Sequence, residues 1–493
     1  MQGKKTHQER LFIQFQLSDY VPADNFYRRL KSLLDLDFLY QTTSKHYGKQ
    51  GQKSIDPVVF MKLMLVGYLE NINSDRRIIT TSGMRMDILY FLGYDLGEEL
   101  PWHSTLSRTR KLYSEEVFLD LFKQVLKLCI HQGLICGKRQ AVDSALIPAN
   151  ASKQSMVERI VMEDASVFSR ELNDNIEEPA TPEKTEDENK GAQDKKAAPT
   201  NQTHYSPSDR DARLTTKPGK PMRLYYRAQM SVDTASHFIT YIKAFKGNHA
   251  DNTALVEMLP QIAANMARHA IRVEEVLADT GYSSGKAIRA LINNDIKGYI
   301  PTPGSYKSSR VDQGFTYDAD YDRYVCIMGV HLPFKRIESA YNAPAVLKKI
   351  YESNISDCKN CPCKELCANA KGFKKLVDSM DKQLYEYMQR RVQTPKGRQM
   401  KLLRSSTVEP VFGSLINYTG LNRINSKRLE QANKCMLMSA IAYNLKKLTK
   451  YTFKPLKAES AMLIGGLNAF FNQIFIQLTL SKQQYAVNLI TSF

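Results

Sequence analysis

A long apolar run is the first thing that this sequence lacks. The first ten residues carry charges but no apolar segment, so we expect no secretory signal peptide. The most apolar stretch, 461–480, is broken by amide side chains, and a helix that spans a membrane needs about 20 mostly apolar residues. We therefore expect an amphipathic helix at 461–480 that packs on protein.

Acidic residues are scarce relative to basic ones. The chain has 69 Lys and Arg against 51 Asp and Glu, a net charge of +18, and its pI is about 9.3. Such a balance favours a polyanionic partner such as nucleic acid, with an anionic membrane surface or no charged partner as alternatives. An apolar content of 43% excludes wholesale disorder, and 493 residues are enough for roughly two to four domains.

A secretory context for disulfides is also absent, so we expect the eight cysteines to be reduced. Cys358, Cys361, Cys363 and Cys367 are clustered, and Cys326 precedes them after a predicted strand. Thiolates at this spacing can hold one structural Zn²⁺. The predicted ligands are Cys326, Cys358, Cys361 and Cys367, with Cys363 as the spare or as a replacement for Cys326. The remaining three lie in apolar helical patterns and are predicted to be core: Cys129, Cys136 and Cys435.

Residues 1–125 are predicted to be helical. Asp56-Pro57 is a helix start, and Ser74 and Ser104 are predicted caps of later helices. Clustered arginines in this region are typical of a helix-turn-helix DNA reader, although a helical bundle with a solvated basic face is an equal alternative. The predicted DNA-binding residues of this region are Arg76, Arg108 and Arg110.

The rest of the chain divides into four predicted parts, and the first of them contains an insertion. Residues 126–302 alternate strands and helices in the order three strands, helix, strand, helix, strand, which is the order of a ribonuclease-H-like α/β core. An acidic tract at about 153–205 is predicted to be a flexible insertion. Residues 303–403 form a second insertion with the cysteine cluster and a basic stretch, 404–450 return to the core, and 451–493 are a helical tail.

Three acidic residues stand in apolar surroundings. Asp143 lies inside a predicted strand, Asp279 lies where another apolar run meets a glycine turn, and Glu409 lies on a later predicted helix. A buried carboxylate is costly unless it is paired or holds a cation. Asp143 and Asp279 lie on strands that neighbour each other in such a core, so we predict that the three acids meet around Mg²⁺ or Mn²⁺.

Two divalent ions held by carboxylates can activate an attacking hydroxyl and stabilise the leaving oxygen of a phosphodiester. With water as the attacking group, the reaction nicks DNA. With a 3′-hydroxyl, it joins strands.

These motifs resemble those of bacterial insertion-sequence transposases of the DDE class, in the branch with an N-terminal helical domain and a cysteine-bearing insertion. The resemblance covers nearly the whole chain and depends on the order of the motifs more than on any one of them. They are Asp56-Pro57 with Ser74-Asp75-Arg76, His103–Ser107, Val142-Asp143, Asp211–Arg213, His249–Asp251, Ala278–Tyr282, Val408–Gly413 and Ala442–Leu445.

The resemblance implies a ribonuclease-H-like core, Mg²⁺, and cutting and joining of double-stranded DNA at the terminal inverted repeats of a mobile element. It implies a catalytic triad of Asp143, Asp279 and Glu409, a homodimer on DNA, and a bacterial cytoplasmic, nucleoid-associated protein without a membrane partner. One position departs from the family: a Lys or Arg usually follows the glutamate by seven residues, and here Ile416 stands there. The candidates to supply that charge are Lys401, Arg404 and Arg423.

Three further residues have two interpretations each. Asp251 either caps the helix that follows it or acts near the metal site with His249. Tyr282 is predicted to pack in its turn. Arg404 either binds phosphate or is a solvated cation. The predicted function is a metal-dependent DNA transposase, and the alternatives are a nuclease of the same fold that does not join strands and a non-catalytic, decayed derivative.

Overall fold

The computed structural model describes residues 15–48, 54–158, 200–303, 313–340, 343–367 and 372–453. Most of the acidic insertion predicted at 153–205 lies outside these residues, and so does almost all of the predicted tail at 451–493. None of the helices in the described ranges combines the length and the apolarity that a bilayer-spanning helix needs.

Helices occupy the described residues up to 131. Asp56 accepts hydrogen bonds from the N–H groups of Val58 and Val59, which confirms the predicted helix start. Ser74 also caps its helix, but Ser104 does not, because it lies one residue inside a helix whose N-cap position is Trp102. The helices are α1 (Leu17–Tyr20), α2 (Phe26–Leu33), α3 (Phe38–Thr43), α4 (Pro57–Leu69), α5 (Asp75–Met84), α6 (Met86–Leu92), α7 (His103–Leu112) and α8 (Glu115–His131).

A mixed sheet forms the α/β core. Its order is β4-β5-β1-β7-β8, with β6 also paired to β5; β1 is antiparallel to β5 and parallel to β7, and β7 is parallel to β8. The pairing of β1 with β7 places the strand of Asp143 beside the strand that precedes Asp279, as predicted. The strands are β1 (Arg139–Pro148), β4 (Arg213–Thr215), β5 (Arg223–Asp233), β6 (Ile239–Lys246), β7 (Glu275–Leu277) and β8 (Lys297–Tyr299), and a separate pair is β2 (Val157–Glu158) with β3 (His204–Tyr205).

Helices after the first strands complete the core. The helix predicted to carry Glu409 begins at Pro395, and the strand that precedes Asp279 ends at Leu277. Asn444 exchanges two hydrogen bonds with the backbone of Ile239, which satisfies edge groups of β6. The helices are α9 (Asp251–Ala267), α10 (Gly285–Asn293), α11 (Ile355–Lys359), α12 (Lys364–Cys367), α13 (Lys382–Gln393), α14 (Pro395–Tyr418) and α15 (Leu429–Thr452).

A second sheet lies between β8 and α13. Its order is β13-β12-β11-β10-β9, and its small core is Phe315, Tyr324, Leu332, Tyr351 and Leu376. The strands are β9 (Phe315–Asp318), β10 (Arg323–Cys326), β11 (His331–Ala340), β12 (Ala343–Glu352) and β13 (Lys375–Ser379).

Candidate active site

Asp143 lies in the middle of β1, between β5 and β7. Its side chain is only 16% exposed, accepts a hydrogen bond from the backbone N–H of Ser144 at 2.7 Å, and pairs with Arg404 at 3.0 Å. Burial raises the pKa of Asp143 to about 6, Arg404 and the Ser144 N–H oppose that rise, and Asp279 adds to it. The carboxyl group is therefore incompletely compensated for its loss of water.

Asp279 follows β7 directly after Ala278 and begins a short 3₁₀ turn. Its carboxylate accepts the N–H of Gly281 at 2.8 Å, which fixes the carboxylate at the start of the turn. A Cβ on Gly281 would lie 3.0 Å from Asp279 Oδ1 and 3.4 Å from Asp251 Oδ2, so only glycine allows the two carboxylates to approach the turn this closely. Asp143 and Asp279 thus share one electrostatic neighbourhood at adjacent strands of the sheet.

Glu409 lies on α14, and its side chain is 65% exposed. The structure connects it to Asp143 through Arg404, whose Nη1 lies 3.0 Å from Asp143 and whose Nη2 lies 3.7 Å from Glu409. In the part of the chain that the structure describes, no three His, Cys, Asp or Glu side chains are arranged to hold a metal ion. The geometry therefore brings Asp143 and Asp279 together and leaves Glu409 beside them, linked through a guanidinium.

The site has the right chemistry for a divalent cation. Mg²⁺ and Mn²⁺ prefer oxygen ligands, and Asp143 and Asp279 are carboxylates whose repulsion contributes to the raised pKa of Asp143. A cation near Asp143 would lower that pKa and remove the repulsion. The donor set therefore fits the predicted metal.

A buried polar network that the sequence did not reveal supports the Asp279 turn. Asp251 accepts hydrogen bonds from Arg227 and Gln229, both at 2.7 Å, and the Asp251 and Arg227 side chains are each only 11% exposed. The Tyr282 hydroxyl donates to Gln229, and burial, then Asp251, Asp143 and Asp279, raise the pKa of Tyr282 well above its usual value. The phenol therefore stays protonated beneath the carboxylates.

The capping interpretation of Asp251 is wrong. Asp251 is the first residue of α9, Ala250 occupies the N-cap position, and no side-chain cap forms there. His249 instead packs against Phe245. The signal that could have found the network is the pair Arg227 and Gln229, two polar residues two apart in an apolar strand, which places both on one face.

Four of the predicted DNA-binding cations lie at the surface. Arg76 donates to His103, Arg423 donates to Asn150, and Arg108 and Lys401 are exposed. An open groove of about 750 Å³ runs beside Glu409 and includes Arg139, Ser405 and Ser406 in its walls. These residues lie where a charged chain could reach them.

Arg110 does not belong to that surface. Its guanidinium pairs with Asp75 at 2.6 Å and its side chain is 17% exposed, so it ties α7 to α5. Helix packing therefore uses this cation to neutralise a carboxylate, and a contact of Arg110 with DNA stays a prediction. Arg404 is also engaged within the protein, with Asp143 and Glu409, which excludes the interpretation of a solvated cation.

The predicted zinc cysteines share one region of the second sheet. Burial, and then the thiols of Cys326, Cys358 and Cys361, raise the pKa of Cys367, whereas Lys374 opposes the rise. The described cysteines are free, and those of this region include none that is paired in a disulfide. Among the three predicted core cysteines, two are buried, but Cys136 is exposed, which corrects that prediction.

Two family models match separate parts of the chain. The Transposase domain (DUF772) matches residues 15–112, and the Transposase DDE domain matches residues 325–449, a range that contains Arg404 and Glu409. No curated protein matches the chain.

Solved structures resemble the chain remotely. The Mos1 transposase paired-end complex with the left transposon end is 10% identical, covers 51% of this chain and 61% of its own, and has a TM-score of 0.16. The piggyBac transposase synaptic complex with hairpin DNA is 13% identical, with 90% and 86% coverage and a TM-score of 0.24. The Mos1 mariner paired-end complex with Mn is 9% identical, with 53% and 65% coverage and a TM-score of 0.16. The chain thus spans about three fifths of the Mos1 chain.

Proposed function

We propose, from the premise that this chain is a transposase of the DDE class, that it cuts DNA strands at the terminal repeats of an insertion sequence and joins them to target DNA. The observation that carries the proposal is the placement of Asp143 on β1 and of Asp279 just after the adjacent parallel strand β7, with Glu409 linked to Asp143 through Arg404. Asp143, Asp279 and Glu409 are the proposed ligands of Mg²⁺ or Mn²⁺. When bound, the metal would supply Lewis-acid activation of the attacking and leaving oxygens.

The protein's own side chains hold this site ready. Arg404 pairs with Asp143 in the structure, and a bound metal ion would compete with it for the same carboxylate. Arg404 would then be available for a phosphate oxygen, which is one of the two roles predicted for it. A network of hydrogen bonds supports the turn that carries Asp279. In this network, Asp251 accepts from Arg227 and Gln229.

The N-terminal helices form the proposed DNA-binding domain, with Arg76 and Arg108 as contacts, and Lys401 and Arg423 extend the surface in the core. A net charge of +18 supports phosphate contacts as the main source of affinity. Pairing of two DNA ends favours a homodimer on DNA. The insertion at 303–403 is proposed to be a separate cysteine-bearing subdomain, and the cytoplasm, at the nucleoid, is the compartment that this activity requires.

The second metal that we propose is a structural Zn²⁺ held by Cys326, Cys358, Cys361 and Cys367. The thiols of Cys326, Cys358 and Cys361 lie close enough to Cys367 to raise its pKa, which supports that ligand set, whereas Cys363 is not among the causes of the rise. We expect about one zinc per chain by elemental analysis, retained by Cys363→Ser and lost by Cys358→Ser with Cys361→Ser. Equal zinc content in all three proteins would contradict this site.

The experiment for the main activity compares wild-type protein with Asp143→Asn on DNA that contains the element's ends, with Mg²⁺ or Mn²⁺. Asp295→Asn is the matched control, because it makes the same change at an exposed acid that pairs with Arg272 at the surface. We expect wild type and the control to cleave and join, and Asp143→Asn to do neither.

Each other outcome has a defined meaning. Cleavage without joining would favour the nuclease interpretation. DNA binding without cleavage by the wild type, in either metal, would favour the non-catalytic derivative. Cleavage that survives Asp143→Asn unchanged would exclude this carboxylate from catalysis.

A further inference from the structure

The β4–β5 hairpin carries two lysines on one tight turn. Pro218 and Gly219 occupy its central positions, Gly219 has a φ of +76°, and the Lys220 N–H donates to the Lys217 carbonyl at 2.9 Å. Proline followed by a residue with positive φ is the pattern of a type II turn. The Thr216 hydroxyl also donates to the Lys220 carbonyl at 2.8 Å. The two lysines are therefore held at the ends of a defined turn.

Both ammonium groups reach the strand that carries Asp143. Lys217 Nζ lies 3.4 Å from the Ser144 hydroxyl, and Lys220 Nζ donates to the Leu146 carbonyl at 3.3 Å. Lys217 is also close enough to Asp143 to oppose the rise in its pKa. The hairpin thus brings two cations to the border of the candidate active site.

Neither lysine is neutralised within the described part of the chain. No carboxylate there forms an ion pair with either ammonium, and each has only a neutral oxygen as its hydrogen-bond acceptor. Partial burial, and then Lys217, lower the pKa of Lys220. Two like charges held beside each other repel, and an anion between them would relieve that repulsion.

The active site otherwise lacks a free cation at the position that the family uses. Ile416 stands there, and its side chain packs against the main core. Arg404 is paired with Asp143 and Glu409 in the structure, whereas Lys217 and Lys220 have no carboxylate partner among the described residues. Lys217 and Lys220 are therefore two cations close to β1 that can bind a ligand without the loss of an ion pair.

We propose that Lys217 and Lys220 bind a backbone phosphate of the DNA strand next to the scissile bond. This inference depends on the proposed function for the identity of the strand. A phosphodiester is the ligand that fits, because it is a single compact anion that can accept hydrogen bonds from two ammonium groups. The hairpin supplies the charge that Ile416 does not.

The experiment uses the full chain and four variants: Lys217→Ala, Lys220→Ala, the double variant, and Lys217→Arg. Lys127→Ala is the matched control. Lys127 lies close enough to His269 to lower its pKa, and His269 follows the C-terminal end of α9, whereas Asp251 begins that helix. A helix of 17 residues is about 25 Å long, which separates the control from the site. Thermal unfolding should be unchanged in all of them, because both lysine side chains lie near the surface.

Two readouts are measured: the affinity for end-containing DNA as a function of salt, and the rate of cleavage under single turnover. Each alanine variant should lose roughly tenfold in cleavage rate, the size expected for one charged hydrogen bond, and should lower the salt slope of binding by about one. The Lys217→Arg variant should keep most of the cleavage rate and most of the salt slope of binding. A series of DNA substrates can each carry one neutral methylphosphonate, at successive positions. At one of these positions, the wild type and the double variant should become equal in affinity and in cleavage rate.

Unchanged affinity, salt slope and cleavage in the double variant would overturn the phosphate site. A wild type that binds DNA without cutting, together with a lower salt slope in the double variant, would preserve the phosphate site and reject the proposed function. The two failures are therefore distinguishable.

Discussion

Two ion-pair clusters join α14 to the same sheet, and they have opposite electrostatic outcomes. Near the start of the helix, Lys396 and Arg139 both contact Glu275 of β7 at 2.5 Å. Eight residues later along the helix, Arg404 contacts Asp143 of β1 and also reaches Glu409. Glu275 is 8% exposed and Asp143 is 16% exposed, so both carboxylates are largely removed from water.

Glu275 and Asp143 differ in the number of cations that pair with each carboxylate. Burial opposes ionisation of Glu275, but hydrogen bonds from Lys396 and Arg139 outweigh it and lower its pKa. Asp143 has one ion-pair partner, Arg404, which it shares with Glu409; Lys217 lies farther away, and the pKa of Asp143 rises to about 6. In the first cluster, two cations offset the charge of Glu275 and hold the helix against the sheet. In the second, the positive charge does not fully offset that of Asp143, as expected of a site that binds a metal ion.

The largest expected effect is on catalysis. Asp143→Asn should lower DNA cleavage by on the order of 10³-fold, because it removes a carboxylate that holds charge at the reacting phosphate. Glu275→Gln should change cleavage by less than about tenfold, since Glu275 acts on the position of the helix. Single-turnover cleavage assays test both. Equal losses in the two variants would erase the distinction between the clusters.

The next largest effect is on stability, where Glu275→Gln rather than Asp143→Asn should be the harmful change. Glu275→Gln should lower the free energy of unfolding by about 1–3 kcal/mol at neutral pH, because it leaves two cations without their buried partner. The contribution of Glu275 is present above its ordinary pKa of 4.5 and is lost as the pH falls through its lower folded pKa. Urea unfolding of both proteins should therefore show a constant gap while the pH stays above the ordinary pKa of 4.5, and a narrowing gap as the pH falls below it.

Asp143→Asn should raise stability by about 1–2 kcal/mol at pH 8 in the absence of metal, since it removes an undercompensated charge. A carboxyl group with a raised pKa favours folding below its ordinary value and loses that contribution as the pH rises through its folded pKa, here about 6. The gain should therefore shrink as the pH is lowered from 8 to 5. A gain that is independent of pH would contradict the assignment, and Asp295→Asn, at an exposed acid, serves as the control.

The smallest expected effect concerns Lys396, whose side chain is 52% exposed. Lys396→Ala should cost roughly 0.5–1 kcal/mol of unfolding free energy, because solvent screens a partly exposed ion pair and Arg139 still compensates Glu275. Lys401→Ala, on the same helix, should have no measurable effect on stability. A loss at Lys396 as large as that of Glu275→Gln would show that Arg139 does not share the charge.

Much of the core was predictable because its signals are local. The apolar runs around Asp143 and Asp279 predicted two neighbouring strands, and Asp56-Pro57 predicted a helix start that the structure confirms. Tighter boundaries were not predictable: the run that includes Asp279 has strand pairing only to Leu277, because the turn begins once Asp279 accepts the Gly281 N–H.

The roles of the arginine and lysine side chains were the least predictable part of the site. Arg108 and Arg110 look alike in sequence, yet Arg108 is exposed whereas Arg110 is paired with Asp75 on another helix. Lys217 and Lys220 gave no signal at all, because their position near Asp143 depends on a hairpin that bends back to β1.

The sequence by itself determined the elements, their order, and the positions of three acids in apolar surroundings. Tertiary structure alone decided that Arg404 spans two of those acids, that Arg110 is structural, and that a lysine hairpin lies beside the site. The reason is one of range. Periodicity and capping act over a few residues, whereas a carboxylate's compensation depends on which cations remote segments bring within a few ångströms of it.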